Sequence, residues 1–95
     1  LTAFQAALPE NHPFIANTML TLANVHANLG EHKQQKQLAQ KALDIYRICY
    51  HDEHVQAASA RSSLAEACIH FQETTEAEQH LLFVIRIYER EYGQD

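Results

Sequence analysis

The sequence predicts an all-α fold of stacked antiparallel helical hairpins. Three observations carry that expectation. Gly and Pro occur twice each in 95 residues, which leaves few breaks and favours long helices over many short strands. Apolar residues recur at spacings of three and four, and no segment alternates with period two. The chain also repeats itself with a period of 42 residues, because residues 12–53 laid on 54–95 match at His12/His54, Ala16/Ala58, Leu22/Leu64, Ala23/Ala65, Glu31/Glu73, Gln37/Gln79, Ile45/Ile87, Tyr46/Tyr88 and Tyr50/Tyr92. A repeat of this length marks a stacked array.

The same register runs backwards, placing Leu1 opposite Leu43 and Phe4 opposite Tyr46. Residues 1–95 are therefore expected to form a single domain, in which 1–11 are the end of a preceding repeat and its linker, and 12–53 and 54–95 are full repeats. A first helix is expected over 14–29, with apolar residues at 15, 19, 22, 25, 26 and 29 on one face. Asn11 or His12 is placed to cap it, Pro13 suits its first turn and Gly30 its end. A second helix follows at 32–50, carrying Leu38, Ala39, Ala42, Leu43, Ile45, Tyr46 and Cys49. The turn His51-Asp52-Glu53-His54 leads to helices at 55–71 and 74–92, the last ending at Gly93.

The segment His12-Pro13-Phe14-Ile15-Ala16, followed by Leu22-Ala23, Gly30, Ala42-Leu43 and Ile45, resembles a tetratricopeptide repeat. The 42-residue unit and the His-Pro entry resemble the kinesin light chain type. Relative to that pattern the first unit has Gln35 where a small Ala is usual, and the second has Val55 for Pro, Cys68 for an aromatic and Gln72 for Gly. The resemblance implies a non-catalytic scaffold that binds a protein or peptide partner. Because the usual unit is about 34 residues, eight more add roughly one turn to each helix.

Asn17, Thr21, Asn24 and Asn28 share one helix face by their spacing, and their counterparts Ser59, Ser63, Glu66 and His70 are polar as well. First helices line the inner side of a stacked array, and Asn both donates and accepts, which suits the main chain of an extended peptide. These eight residues are the candidate partner contacts. The resemblance places Thr21 and Ser63 where its members often carry a backbone-clamping Asn. No Lys or Arg cluster lies on this face, which disfavours a partner with an acidic C-terminal motif. Glu66 favours a basic or amide-bearing one.

The last helix invites a second reading. Residues 81–88 are Leu-Leu-Phe-Val-Ile-Arg-Ile-Tyr against Ala-Gln-Lys-Ala-Leu-Asp-Ile-Tyr at 39–46. Leu82 and Phe83 replace Gln40 and Lys41, so helix 74–92 is expected to pack on something beyond its own hairpin: the next repeat of a longer protein, a second copy of this chain (a homodimer through end helices), or a partner protein. The chain would then be a structural or self-association segment of a larger regulatory protein.

Little else carries chemistry. His51-x-x-His54 is not a zinc-peptidase spacing; His12 and His54, at matching positions, suggest caps instead. His26 is expected as a packed histidine on the apolar face. Cys49 and Cys68 lie at different distances from the turn between their antiparallel helices, too far apart to bridge, and both are expected as packed, reduced thiols. That suits a cytoplasmic protein. Neither shows a nearby cation to make it a thiolate. No catalytic residue, cofactor or metal is expected. A formal charge of −5 argues against nucleic-acid backbone binding, and protonating all seven histidines would reverse its sign. The longest apolar run, Leu81–Ile85, is far too short to span a membrane. Small residues at 23 and 65 let paired helices approach closely, so Ala23→Leu or Ala65→Leu should cost about 1–3 kcal/mol by overpacking, read as a fall in the urea midpoint.

Overall fold

The computed structural model describes residues 12–51 and 54–93. Four α-helices follow in order: α1 Pro13–Asn28, α2 His32–Cys49, α3 Val55–His70 and α4 Thr74–Tyr92. The expected end of a preceding repeat at 1–11, and Asp52 and Glu53 of the inter-repeat turn, lie outside the described residues. Each helix packs on the next in sequence, and α1 also touches α3. This is a pair of stacked hairpins, with α2 and α3 forming the seam.

Local chemistry sets the ends. At both α1 and α3 a histidine in extended conformation caps the helix. The His12 ring Nδ1 accepts from the Phe14 N–H, and the His54 Nδ1 from the Gln56 N–H, each at 3.0 Å. Both helices end in a Schellman turn. The Gly30 N–H donates to Ala27 O and the Glu31 N–H to His26 O; 42 residues on, the Gln72 N–H donates to Ile69 O and the Glu73 N–H to Cys68 O. The turn needs a left-handed residue, and Gly30 supplies φ 78°. Gln72 takes φ 63° at the equivalent position, so the missing glycine does not change the turn; it strains it.

The main core joins α1, α2 and α3 through Ala16, Ala23, Ala39, Ala42, Leu43, Ile45, Tyr46, Ala57, Ala60 and Leu64. The second hairpin has two smaller clusters, Ala58 with Val84 and Ile87, and Ala65 with Cys68 and Ala77. Three expectations need correction. On α1 the buried residues are Ala16 and Ala23, whereas Leu22, Val25 and Leu29 are exposed. The apolar positions span two faces, and only the one against α2 is covered. His26 is half-buried rather than packed away, and its Nδ1 sits 2.6 Å from Glu31 Oε1. Cys49 is exposed, not packed, and Cys68 is buried; neither is in a disulfide.

Phe83 also departs from expectation. It turns inward, half-buried against Ala58, Val84 and Ile87, with the Arg61 guanidinium over its ring at 3.9 Å and that of Arg86 at 4.9 Å. At 100° per residue it lies near Ile87 on the α3 side of the helix; its counterpart Lys41 stays exposed because its charge must remain in water. Leu82 is exposed. Of the described helices, α4 touches only α3. Gln72→Gly should raise stability by about 0.5–1 kcal/mol, the relief of left-handed strain minus the unfolded-state entropy that glycine adds. A higher urea midpoint would show it.

Candidate partner-binding face

The two polar stripes come together on the face shared by α1 and α3. Asn17, Thr21, Asn24 and Asn28 are all exposed along α1. On α3, Glu66 and His70 are exposed, Ser59 is half-buried and Ser63 is buried. Ser63 Oγ lies 3.5 Å from Asn24 Oδ1, at the long end for a hydrogen bond, and this contact links the stripes.

Most of these side chains already hold something. The Tyr46 phenol of α2 donates to Asn17 Oδ1. Thr21 Oγ1 donates to the Asn17 carbonyl one turn back at 3.0 Å. His70 stacks on His32 with ring centroids 3.9 Å apart. Behind Ser63 and Glu66 stands Gln35 of α2, fully buried. Its Nε2 lies 3.1 Å from each of Ser63 O, Ser63 Oγ and Glu66 Oε1, and the His32 Nδ1–H donates to its Oε1 at 2.8 Å. Ser63 is thus drawn inward by a side chain longer than the alanine usual at position 35.

The consequence is directional. Asn17 spends its amide oxygen on Tyr46, and Asn24 directs its own at Ser63. The NH2 group of each is the part of the amide left to donate, and an NH2 group is a donor for carbonyl oxygens. Sequence spacing found the stripes but missed Gln35 and Tyr46 behind them. Two signals pointed there: a glutamine at a position that is Ala77 one repeat later, and a tyrosine repeated at 46 and 88.

A family model for the tetratricopeptide repeat matches residues 14–90. The chain belongs to this family. No curated protein and no solved structure matches it. Tetratricopeptide repeats are in general protein–protein interaction modules, and as a class they are generally non-catalytic. None of the described helices of this repeat protein is long and apolar enough to cross a membrane.

One trio of potential metal ligands converges among the described residues. The donor atoms of Cys68, Glu73 and Glu76 lie within 4.8 Å of one another. The fold engages part of this trio internally. Lys36 Nζ pairs with Glu73 Oε1 at 2.7 Å, which raises the lysine pKa and lowers that of the carboxylate. Burial, and then Glu76, push the Cys68 thiol up to about 11, although Lys36 opposes them. A thiol so protonated is a poor ligand and a poor nucleophile.

His80, beside this trio, is the titrating group with structural consequence. Burial first, and then the Arg61 guanidinium, hold its imidazolium below the usual histidine range; Glu76 opposes them and Lys36 adds to them. Arg61 Nη1 lies 3.3 Å from His80 Nδ1 and donates to the unprotonated ring nitrogen. A lowered folded-state pKa means that the unfolded chain binds the proton more readily, so the stabilisation is complete above the unfolded value and is lost as pH falls through the folded one. Between about pH 7.5 and pH 5, which spans ordinary histidine titration, His80→Gln should lower the melting temperature less steeply than the parent. Parallel slopes would contradict this role.

Proposed function

We propose that the chain is a non-catalytic module that holds an extended peptide or protein segment along the face of α1 and α3. One observation carries this reading: the exposed amides of Asn17 and Asn24 have their oxygens engaged by Tyr46 and Ser63, which leaves their donors to face outward beside Asn28. Donors repeated along a helix match the carbonyls of an extended chain. Glu66 and His70 continue the face and favour amide or basic groups on the partner. A protein whose two thiols are both outside disulfides fits a reducing compartment such as the cytoplasm.

The second reading, a structural or homodimerising segment, keeps one supporting observation. Leu82 is exposed on α4 beside other apolar side chains. Phe83 is not part of such a surface, because Arg61 and Arg86 cover it.

The test begins with peptides selected from a random displayed library on the parent protein. The double variant Asn24→Ala with Asn28→Ala should bind them at least about fivefold more weakly, since two lost hydrogen bonds are worth about 1–3 kcal/mol. Leu82→Glu should leave their affinity unchanged. Undiminished binding by the asparagine variant, together with a light-scattering dimer that Leu82→Glu dissolves, would favour the second reading.

A further inference from the structure

The face shared by α1 and α3 carries a carboxylate at one place. Among its polar stripe residues only Glu66 is acidic, and none is a Lys or Arg. One repeat earlier the positions of Glu66 and His70 are Asn24 and Asn28, so the two stripes end in different chemistry. Glu66 and His70 are four residues apart on α3, which puts their Cβ atoms about 5–6 Å from each other on one side of the helix. Both are exposed.

An exposed glutamate ordinarily has to be ordered before it can hold anything, and that costs rotamer entropy. Glu66 is already tethered. Its Oε1 accepts from Nε2 of Gln35 at 3.1 Å, and Gln35 is fully buried. The same amide supports the neighbouring ring. The His32 Nδ1–H donates to Gln35 Oε1 at 2.8 Å. His70 stacks on His32 with centroids 3.9 Å apart and planes inclined by 32°, and Phe71 meets the His70 ring edge to face at 5.4 Å. One buried side chain thus sets a carboxylate and backs an exposed ring. Among the described residues Glu66 has no cationic partner, because the nearby Lys36 pairs with Glu73 instead.

We propose that Glu66 and His70 form a subsite for an arginine side chain of the bound segment, with Gln35 as the residue that positions it. This rests on the peptide-binding reading of the α1–α3 face and adds what that segment must carry. A guanidinium has parallel N–H donors and a flat, delocalised plane. Each carboxylate oxygen has two lone pairs. Oε1 can therefore keep its bond to Gln35 and still accept one N–H of the fork while Oε2 accepts the other. The guanidinium plane then lies against the His70 ring, as the Arg61 guanidinium lies over Phe83 at 3.9 Å within this fold. A lysine ammonium brings the charge without the fork or the plane. The amides of Asn17, Asn24 and Asn28 take main-chain carbonyls whatever the sequence, so the arginine is what sets the register of the segment.

The probe is the peptide set selected from a random displayed library on the 95-residue protein, with the leading sequence synthesised and labelled. The selected sequences should share one arginine at a fixed position. Lysine in its place should weaken binding at least about fivefold by fluorescence anisotropy. Glu66→Gln keeps the size of the side chain and should bring the arginine and lysine peptides within about twofold of each other. His70→Ala should narrow the preference and leave the affinity for the lysine peptide as in the parent.

Gln35→Met keeps the buried volume and removes the amide. It should also narrow the arginine preference, while a peptide with glutamine in place of the arginine binds it as it binds the parent. A mere loss of folded protein would weaken all three peptides alike. Selected peptides with no shared arginine, or a preference that survives Glu66→Gln, would overturn the subsite; the peptide-binding face would still stand if Asn24→Ala with Asn28→Ala weakened those peptides. A library that yields no binder, or binders indifferent to the asparagine pair, would overturn both.

Discussion

The structure depends on α3 being thin enough to fit between two neighbours. It packs on α2 along one side and α4 along the other, and every residue it buries except Leu64 is small: Ala57, Ala58, Ala60, Ser63, Ala65, Ala67 and Cys68. Each alanine removes little apolar area from water, at about 25 cal/mol per Å2. Their value lies in close approach, which buries Leu43, Tyr46 and Leu64 in one cluster and Ile87, with Ala58 and Val84, in another. An α3 with a single apolar stripe could serve one hairpin only. Small residues on several sides make it the common wall of both.

Small residues permit sliding, and one polar side chain opposes it. Gln35 is fully buried between α2 and α3, where an unpaired amide would cost several kcal/mol on an apolar-transfer scale. Its two amide hydrogens reach Ser63 and Glu66, and its oxygen is met by His32. A shift of α3 by one helical turn would take Ser63 and Glu66 away from the Gln35 amide hydrogens, whereas the His32 contact lies within α2 and would stay. Gln35 therefore fixes the register of one hairpin on the other, as a single buried Asn fixes register in a coiled coil. Its outer partners belong to the candidate binding face, so that face is anchored from inside the seam.

Much of this was legible in the sequence, and the misses have a common cause. The expected helices at 14–29, 32–50, 55–71 and 74–92 differ from those observed by a residue at most at either end, because caps, turn residues and periodicity are local. The polar stripes were legible for the same reason. What spacing could not show was which apolar side of a helix has a neighbour. Leu22, Val25 and Leu29 have the periodicity of Leu64, Ala67 and Phe71, yet the exposure of Leu22 and Val25 against the burial of Leu64 and Ala67 depends on what lies beside each helix. Phe83 turned inward because Arg61, on another helix, offered its guanidinium as a lid. Ser63 turned inward because of Gln35, 28 residues away. Long-range polar pairing of this kind leaves no periodic trace.

The two exposed faces differ in chemistry because they differ in what stands behind them. The α1–α3 face is made of side chains that also hold the hairpins in register, so on the proposed reading a ligand would meet donors already oriented. Little ordering entropy would then remain to oppose binding there. A ligand spanning both stripes would bind only the aligned stack, and its binding energy would add to the cohesion of the α2–α3 seam. The exposed face of α4 has no such network. Ala77 replaces the glutamine, the exposed Leu81, Leu82 and Ile85 are apolar, and its charge, Glu78, lies at the flank. One 42-residue unit, repeated with a glutamine in one copy and an alanine in the other, thus yields two exposed surfaces of different chemistry.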